Sequence, residues 1–266
     1  MAITYSNGIS ILELIVYFPS LFAAAYLVWL HGIRTSGGFL FLLLFVLLRI
    51  TGACCDLAAI NNPSVGLYIA QAICSSIGLS PLILACSGLL SRANNSINEK
   101  PNGAISERFF HLLRIITLVA LILSIVGITK DMTPKALLHP NSEIKAGMNL
   151  FVVSWAALCL LLFLLIRRRS GIEMGERRLL LVVGISATLI LVRLIYAMLM
   201  FFLADSTFNF FNGSTTAMLV MSVLEEIGVV LVCLGVGLTL RVRGKGLNQS
   251  YSGVPLYESG PPPYNA

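Results

Sequence analysis

The chain has 266 residues, 57% of them hydrophobic and only 11% charged, with a formal net charge of +6 and a mean hydropathy of +0.90. A soluble domain of this size carries about 25% charged residues, so the composition excludes one and points to an integral membrane protein. The positive balance falls in loops on one side of the membrane and is not a nucleic-acid footprint.

Seven apolar runs are long enough for the about 20 helical residues that a hydrocarbon core requires. They are Ile9 to Leu30, Gly38 to Ile60, Gly66 to Leu90, Phe109 to Ile128, Gly147 to Ile166, Leu179 to Ala204 and Thr216 to Leu240. None alternates as a barrel strand does, and a helix satisfies its own backbone hydrogen bonds in lipid. The predicted fold is therefore all-α: a polytopic membrane protein whose seven transmembrane helices form one bundle over residues 1–240. No lysine or arginine precedes the first run, and that run exceeds the apolar stretch of a secretory signal, so it reads as an uncleaved first helix.

The first helix carries Glu13. In the second, Arg49, Gly52, Ala53, Asp56 and Ala59 recur at steps of three and four, a polar stripe flanked by small residues that admit a close neighbour. Arg49 and Asp56 lie about 10 Å apart along the axis, so each is expected to pair with another helix. The third helix offers Tyr68, Gln71 and Ser75 before Ser80-Pro81 loosens its middle, and in the sixth Ser186, Arg193 and Tyr196 share a face. Glu225 and Glu226 in the seventh are consecutive, hence about 100° apart, and cannot point the same way. One is expected to meet Arg193 or Arg49 while the other faces a cavity, stays protonated or contacts a neighbouring helix.

Loops between the runs are short and carry turn chemistry, as at Asn61-Asn62-Pro63 and His139-Pro140-Asn141-Ser142. Twelve lysines and arginines fall on one side (Arg34, Arg92, Lys100, Arg108, Arg167, Arg168, Arg169, Arg177, Arg178, Arg241, Arg243 and Lys245) and three on the other (Lys130, Lys135 and Lys145). The rich side faces the cytosol, which puts the N-terminus outside and the C-terminus inside, in a plasma membrane or an endoplasmic reticulum. Asn212-Gly213-Ser214 is then an outer-side glycosylation sequon, whereas Asn94-Asn95-Ser96 is cytosolic. All six cysteines fall within the runs, where thiols act as small hydrophobes, and the three histidines offer no metal-ligand spacing. No cofactor is implied.

Residues 241–266, rich in Gly, Ser, Pro and Asn, read as a disordered cytosolic tail. The tail holds Pro261-Pro262-Pro263-Tyr264, a PPxY pattern in which Pro261, Pro262 and Tyr264 fit the aromatic groove of a WW domain and so suggest recruitment of a WW-bearing ubiquitin ligase.

A charge at bilayer depth costs roughly 3 kcal/mol, so such residues usually face the protein interior and mark a site. Counted from the outer ends of their helices, Glu13, Asp56, Arg49, Arg193, Glu225 and Glu226 all lie in the outer half. The sequence thus predicts a charged chamber in which Glu226, Glu225 and Asp56 are candidate acids for catalysis, and Glu13, Arg49, Arg193, Tyr196, Gln71 and Tyr68 candidates for binding a small lipophilic molecule. The blander reading is that buried ion pairs between the arginines and Glu225 fix helix register.

Tyr5-Ser-Asn-Gly-Ile-Ser-Ile-Leu-Glu-Leu14, Leu48-Arg49-Ile-Thr-Gly52 with Asp56, and Gly78-Leu-Ser-Pro-Leu82 running to Gly88-Leu-Leu-Ser-Arg92 resemble a family of seven-span integral membrane proteins from filamentous, ascomycete fungi. The resemblance covers residues 1 to about 245 and implies fold and source; the family has no established activity, so no catalytic residues are carried over. The last helix has no lysine, which excludes a retinal protein, and the signatures of rhodopsin-type receptors are missing. Three classes stay open. An intramembrane acid-base enzyme on an isoprenoid-type substrate, of the cyclase or isomerase kind, is preferred by a small margin. A receptor or sensor for a small molecule follows closely, and a proton-coupled transporter is third.

Overall fold

A computed structural model describes residues 5–31, 37–61, 64–97, 105–130, 142–167, 174–202 and 215–239, and these segments are almost wholly helical. In chain order the helices are α1 (Tyr5–His31), α2 (Gly37–Asn61), α3 (Val65–Ile77), α4 (Leu79–Ile97), α5 (Glu107–Lys130), α6 (Ser142–Arg167), α7 (Met174–Phe202), the single turn α8 (Thr215–Met218), a π turn (Leu219–Val223) and α9 (Leu224–Thr239). Among the described residues, six stretches are long and apolar enough to cross a membrane: those within α1, α2, α5, α6 and α7, and the stretch from the π turn through α9. Large side chains such as Ile15, Phe22, Ile115, Leu181 and Leu231 point outward from them, as expected of a multi-pass protein whose solvent is lipid.

The predicted third span, Gly66 to Leu90, is not one helix. It divides at Gly78 into α3, of 13 residues, and α4, of 19 residues, which extends to Ile97 through polar Arg92, Asn94 and Asn95. Pro81 is the cause. It has no N–H to give the carbonyl four residues back, Ile77, and the Ser80 hydroxyl donates to that carbonyl instead, at 3.1 Å. The start of α3 is set by Ser64, whose hydroxyl accepts from the Leu67 N–H at 3.4 Å.

The first two helices run antiparallel. Ser10, Glu13 and Tyr17 of α1 face Asp56, Arg49 and Phe45 of α2. Gly52 of α2 meets Cys74 of α3, while Gly38 at the other end of α2 meets Gly88 of α4, so α3 and α4 together follow α2 along its length. The α2–α4 crossing requires glycine, because a Cβ on Gly88 would stand 2.5 Å from the Gly38 Cα. Trp155 of α6 donates to the Ala187 carbonyl of α7 at 2.9 Å, and α9 lies against α7 through Arg193 with Glu226 and Ser186 with Cys233.

The middle of the bundle belongs to α4. Residues 78–90 are buried on every side, packed by α2, α5, α6 and α7. An apolar helix buried all round is what a bundle centre demands.

Candidate functional site

The charged side chains meet near the end of the bundle where α1 and α8 begin and α2 and α7 finish. On α1, Ser10, Glu13 and Tyr17 share one face by the helical period, and the antiparallel α2 presents Asp56, Arg49 and Phe45 in matching order. The Ser10 hydroxyl donates to Asp56 Oδ2 at 2.5 Å. Arg49 Nη1 donates to Glu13 Oε1 at 3.3 Å, while its Nη2 is ion-paired with Glu226 Oε2 on α9. The second oxygen of Glu226 accepts from Arg193 Nε of α7 at 2.9 Å.

The result is a chain, Glu13–Arg49–Glu226–Arg193, that ties α1, α2, α9 and α7 together. Glu226 is its hub, with 0% exposure and one arginine on each carboxylate oxygen. Two cations and two anions leave the chain neutral, which is how four charges withstand a low-dielectric interior. Both guanidinium groups also lie against rings: Arg49 is 5.8 Å from the Phe45 centroid and Arg193 5.7 Å from that of Tyr196.

A cavity of about 30 Å³ adjoins the network, with Ser10, Glu13, Arg49 and Gln71 as its polar walls and Ile9, Gly52 and Met218 among the rest. That is room for a water molecule or two. The Tyr17 hydroxyl, fully buried and within electrostatic reach of Arg49 and Glu13, has no hydrogen-bond partner among the described residues.

Four of the predicted residues, Glu13, Arg49, Arg193 and Glu226, thus converge. Tyr196 and Gln71 border them, and Asp56 stands beside them on Ser10 rather than on an arginine. Glu225 is turned aside: it is half-buried, and its Oε2 is enclosed without a hydrogen-bond partner among the described residues. The Tyr68 side chain, Asn212, and Pro261, Pro262 and Tyr264 lie outside the described residues.

Sequence reasoning missed Ser10 and Tyr17, although their spacing of three before and four after Glu13 puts them on its face. It also missed Asn94, which is fully buried and uses its amide to donate to the Ile105 carbonyl and accept from the Ile105 N–H, both at 2.8 Å. Among the described residues no group of three His, Cys, Asp or Glu side chains is placed to hold a metal ion.

No curated protein and no solved structure matches the chain. A family profile described as a domain of unknown function, DUF7702, matches residues 3–243, nearly the whole length. The chain with this four-helix charge network therefore belongs to the DUF7702 family.

Proposed function

We propose that this protein is a seven-span membrane sensor whose signalling element is the Glu13–Arg49–Glu226–Arg193 network. The observation that carries the reading is the hub. Each oxygen of Glu226 is taken by an arginine, so the most buried acid is committed to holding helices rather than poised to give a proton to a substrate. An enzyme on an isoprenoid would need an acid beside a cavity in the range of about 300–1,000 Å³. The cavity beside Glu13 and Arg49 has about a tenth of the lower figure, 30 Å³.

In this reading α3 and α4 together make the seventh crossing, because they accompany α2 from end to end. The lysine and arginine asymmetry supports an outer-half position for the network. A perturbation that loosens Arg49 from Glu13 lets α1 move against α2, and Glu226 passes the change to Arg193 and α7. The PPxY tail offers a separate docking segment for a WW-bearing ligase on the cytosolic side.

The test compares transcripts and untargeted metabolites in the native host carrying the parent gene, a deletion or Glu226→Gln. A sensor is expected to change the transcript response in both altered strains with no metabolite lost. A lipophilic product that vanishes in both and returns on complementation would mean an enzyme.

A further inference from the structure

A second cavity lies between α6 and α7, away from the carboxylates, with a volume of about 340 Å³. Val152 and Trp155 of α6 and Leu191, Leu194, Met198 and Phe202 of α7 line it. Every lining side chain is apolar except for the indole N–H of Trp155, and that group is spent on the Ala187 carbonyl. At one end the Lys145 ammonium stands 5.9 Å from the centroid of the Phe202 ring, exposed, and no carboxylate is ion-paired with it among the described residues.

We propose that this groove binds a lipophilic acid: one apolar chain lying along α6 and α7, with its carboxylate at Lys145. An apolar slot with one charged group at its mouth is the usual form of a site that takes its affinity from burial and its orientation from a single polar contact. At roughly 30 Å³ for each water-sized group, the volume holds about eleven such groups. That suits one chain, not the paired chains of a phospholipid. The cation at the mouth selects an anionic head.

The site also has a route to the charge network, and here the inference rests on the sensor reading. Leu191, Leu194 and Met198 face the groove from the same turns of α7 that carry Arg193 to Glu226. A chain entering between α6 and α7 therefore bears on the helix that holds one end of the network.

Trp155 supplies the probe. The chain has two tryptophans, and Trp29, 79% exposed on α1, is removed by Trp29→Phe so that emission reports the groove alone. Full-length protein in phosphatidylcholine nanodiscs is titrated with ω-bromoundecanoate and with its methyl ester. The acid is expected to quench saturably at about tenfold lower concentration than the ester, and Lys145→Gln to bring the acid to the ester's midpoint while leaving the ester unchanged. Met198→Phe, which fills the slot, should weaken both.

Linear quenching that is equal for acid and ester overturns the proposal. So does equal quenching by bromine-labelled phosphatidylserine, which would mark an ordinary bilayer contact. Absent quenching with a Val152→Cys disulfide dimer would mean that a second copy covers the groove, and overturns it too. The readout needs no cell, so it separates from the test of the sensor: saturable acid binding together with a vanished metabolite would sink the sensor reading and leave the groove as a substrate site.

Discussion

The start and the middle of α2 are held by opposite means. At Gly38 the helix meets α4 backbone to backbone, with no room for a methyl group. About 16 Å further along its axis, at Arg49, it is held through long charged side chains reaching α1 and α9. The irregular backbone gathers at the second of these levels. Between the paired contacts Gly52–Cys74 and Gly38–Gly88, the break at Gly78 comes level with Arg49, and the π turn Leu219–Val223 ends two residues before Glu225. Close glycine packing gives one fixed distance, whereas ion pairs across a small cavity leave a helix with more than one place to go. On the sensor reading proposed above, a fold that stays put and also responds has reason to separate the two.

The difference can be broken most directly at Glu226. Glu226→Ala takes a carboxylate oxygen from each of two buried guanidinium groups and is expected to cost about 3–5 kcal/mol, read as a lower midpoint of thermal unfolding in detergent. Gly88→Ala tests the start of α2, where the added methyl meets backbone that cannot turn aside; about 3 kcal/mol is expected, the upper part of the overpacking range. If Gly88→Ala proves harmless, the start and the middle of α2 do not differ as described. Ser10→Ala sharpens the contrast, since it removes only the hydroxyl that serves Asp56; about 1.5–2 kcal/mol is expected by the same measurement. Trp155→Phe lies away from both levels and removes one bond to Ala187, with an expected loss of about 1 kcal/mol.

Much of the charged end was legible in the sequence because depth can be counted. Glu13, Arg49, Arg193 and Glu226 lie at similar distances from the same face of the bundle, and antiparallel helices bring equal depths together. Which of two adjacent glutamates faces inward was not legible, since the π turn ahead of them resets the helical phase without a residue pattern to announce it. Ser80-Pro81 signalled a loosened third helix, but the place of the break depends on a hydroxyl finding the Ile77 carbonyl. The central position of α4 was hidden for another reason. In lipid the outward faces are as apolar as the inward ones, so composition does not tell a buried helix from a peripheral one. The α6–α7 groove was hidden in the same way, its lining being indistinguishable in sequence from side chains that face the bilayer.

The π turn has a practical consequence for anyone who shortens this protein. Because Leu219–Val223 contains one more residue than ordinary helical winding would use, losing a residue there tightens the coil and keeps Glu226 on its two arginines. Losing one from the middle of α7 would swing Arg193 about 100° away. The segment just ahead of the paired glutamates is the place in the bundle where evolution or an engineer can excise a codon without rewiring what lies beyond it.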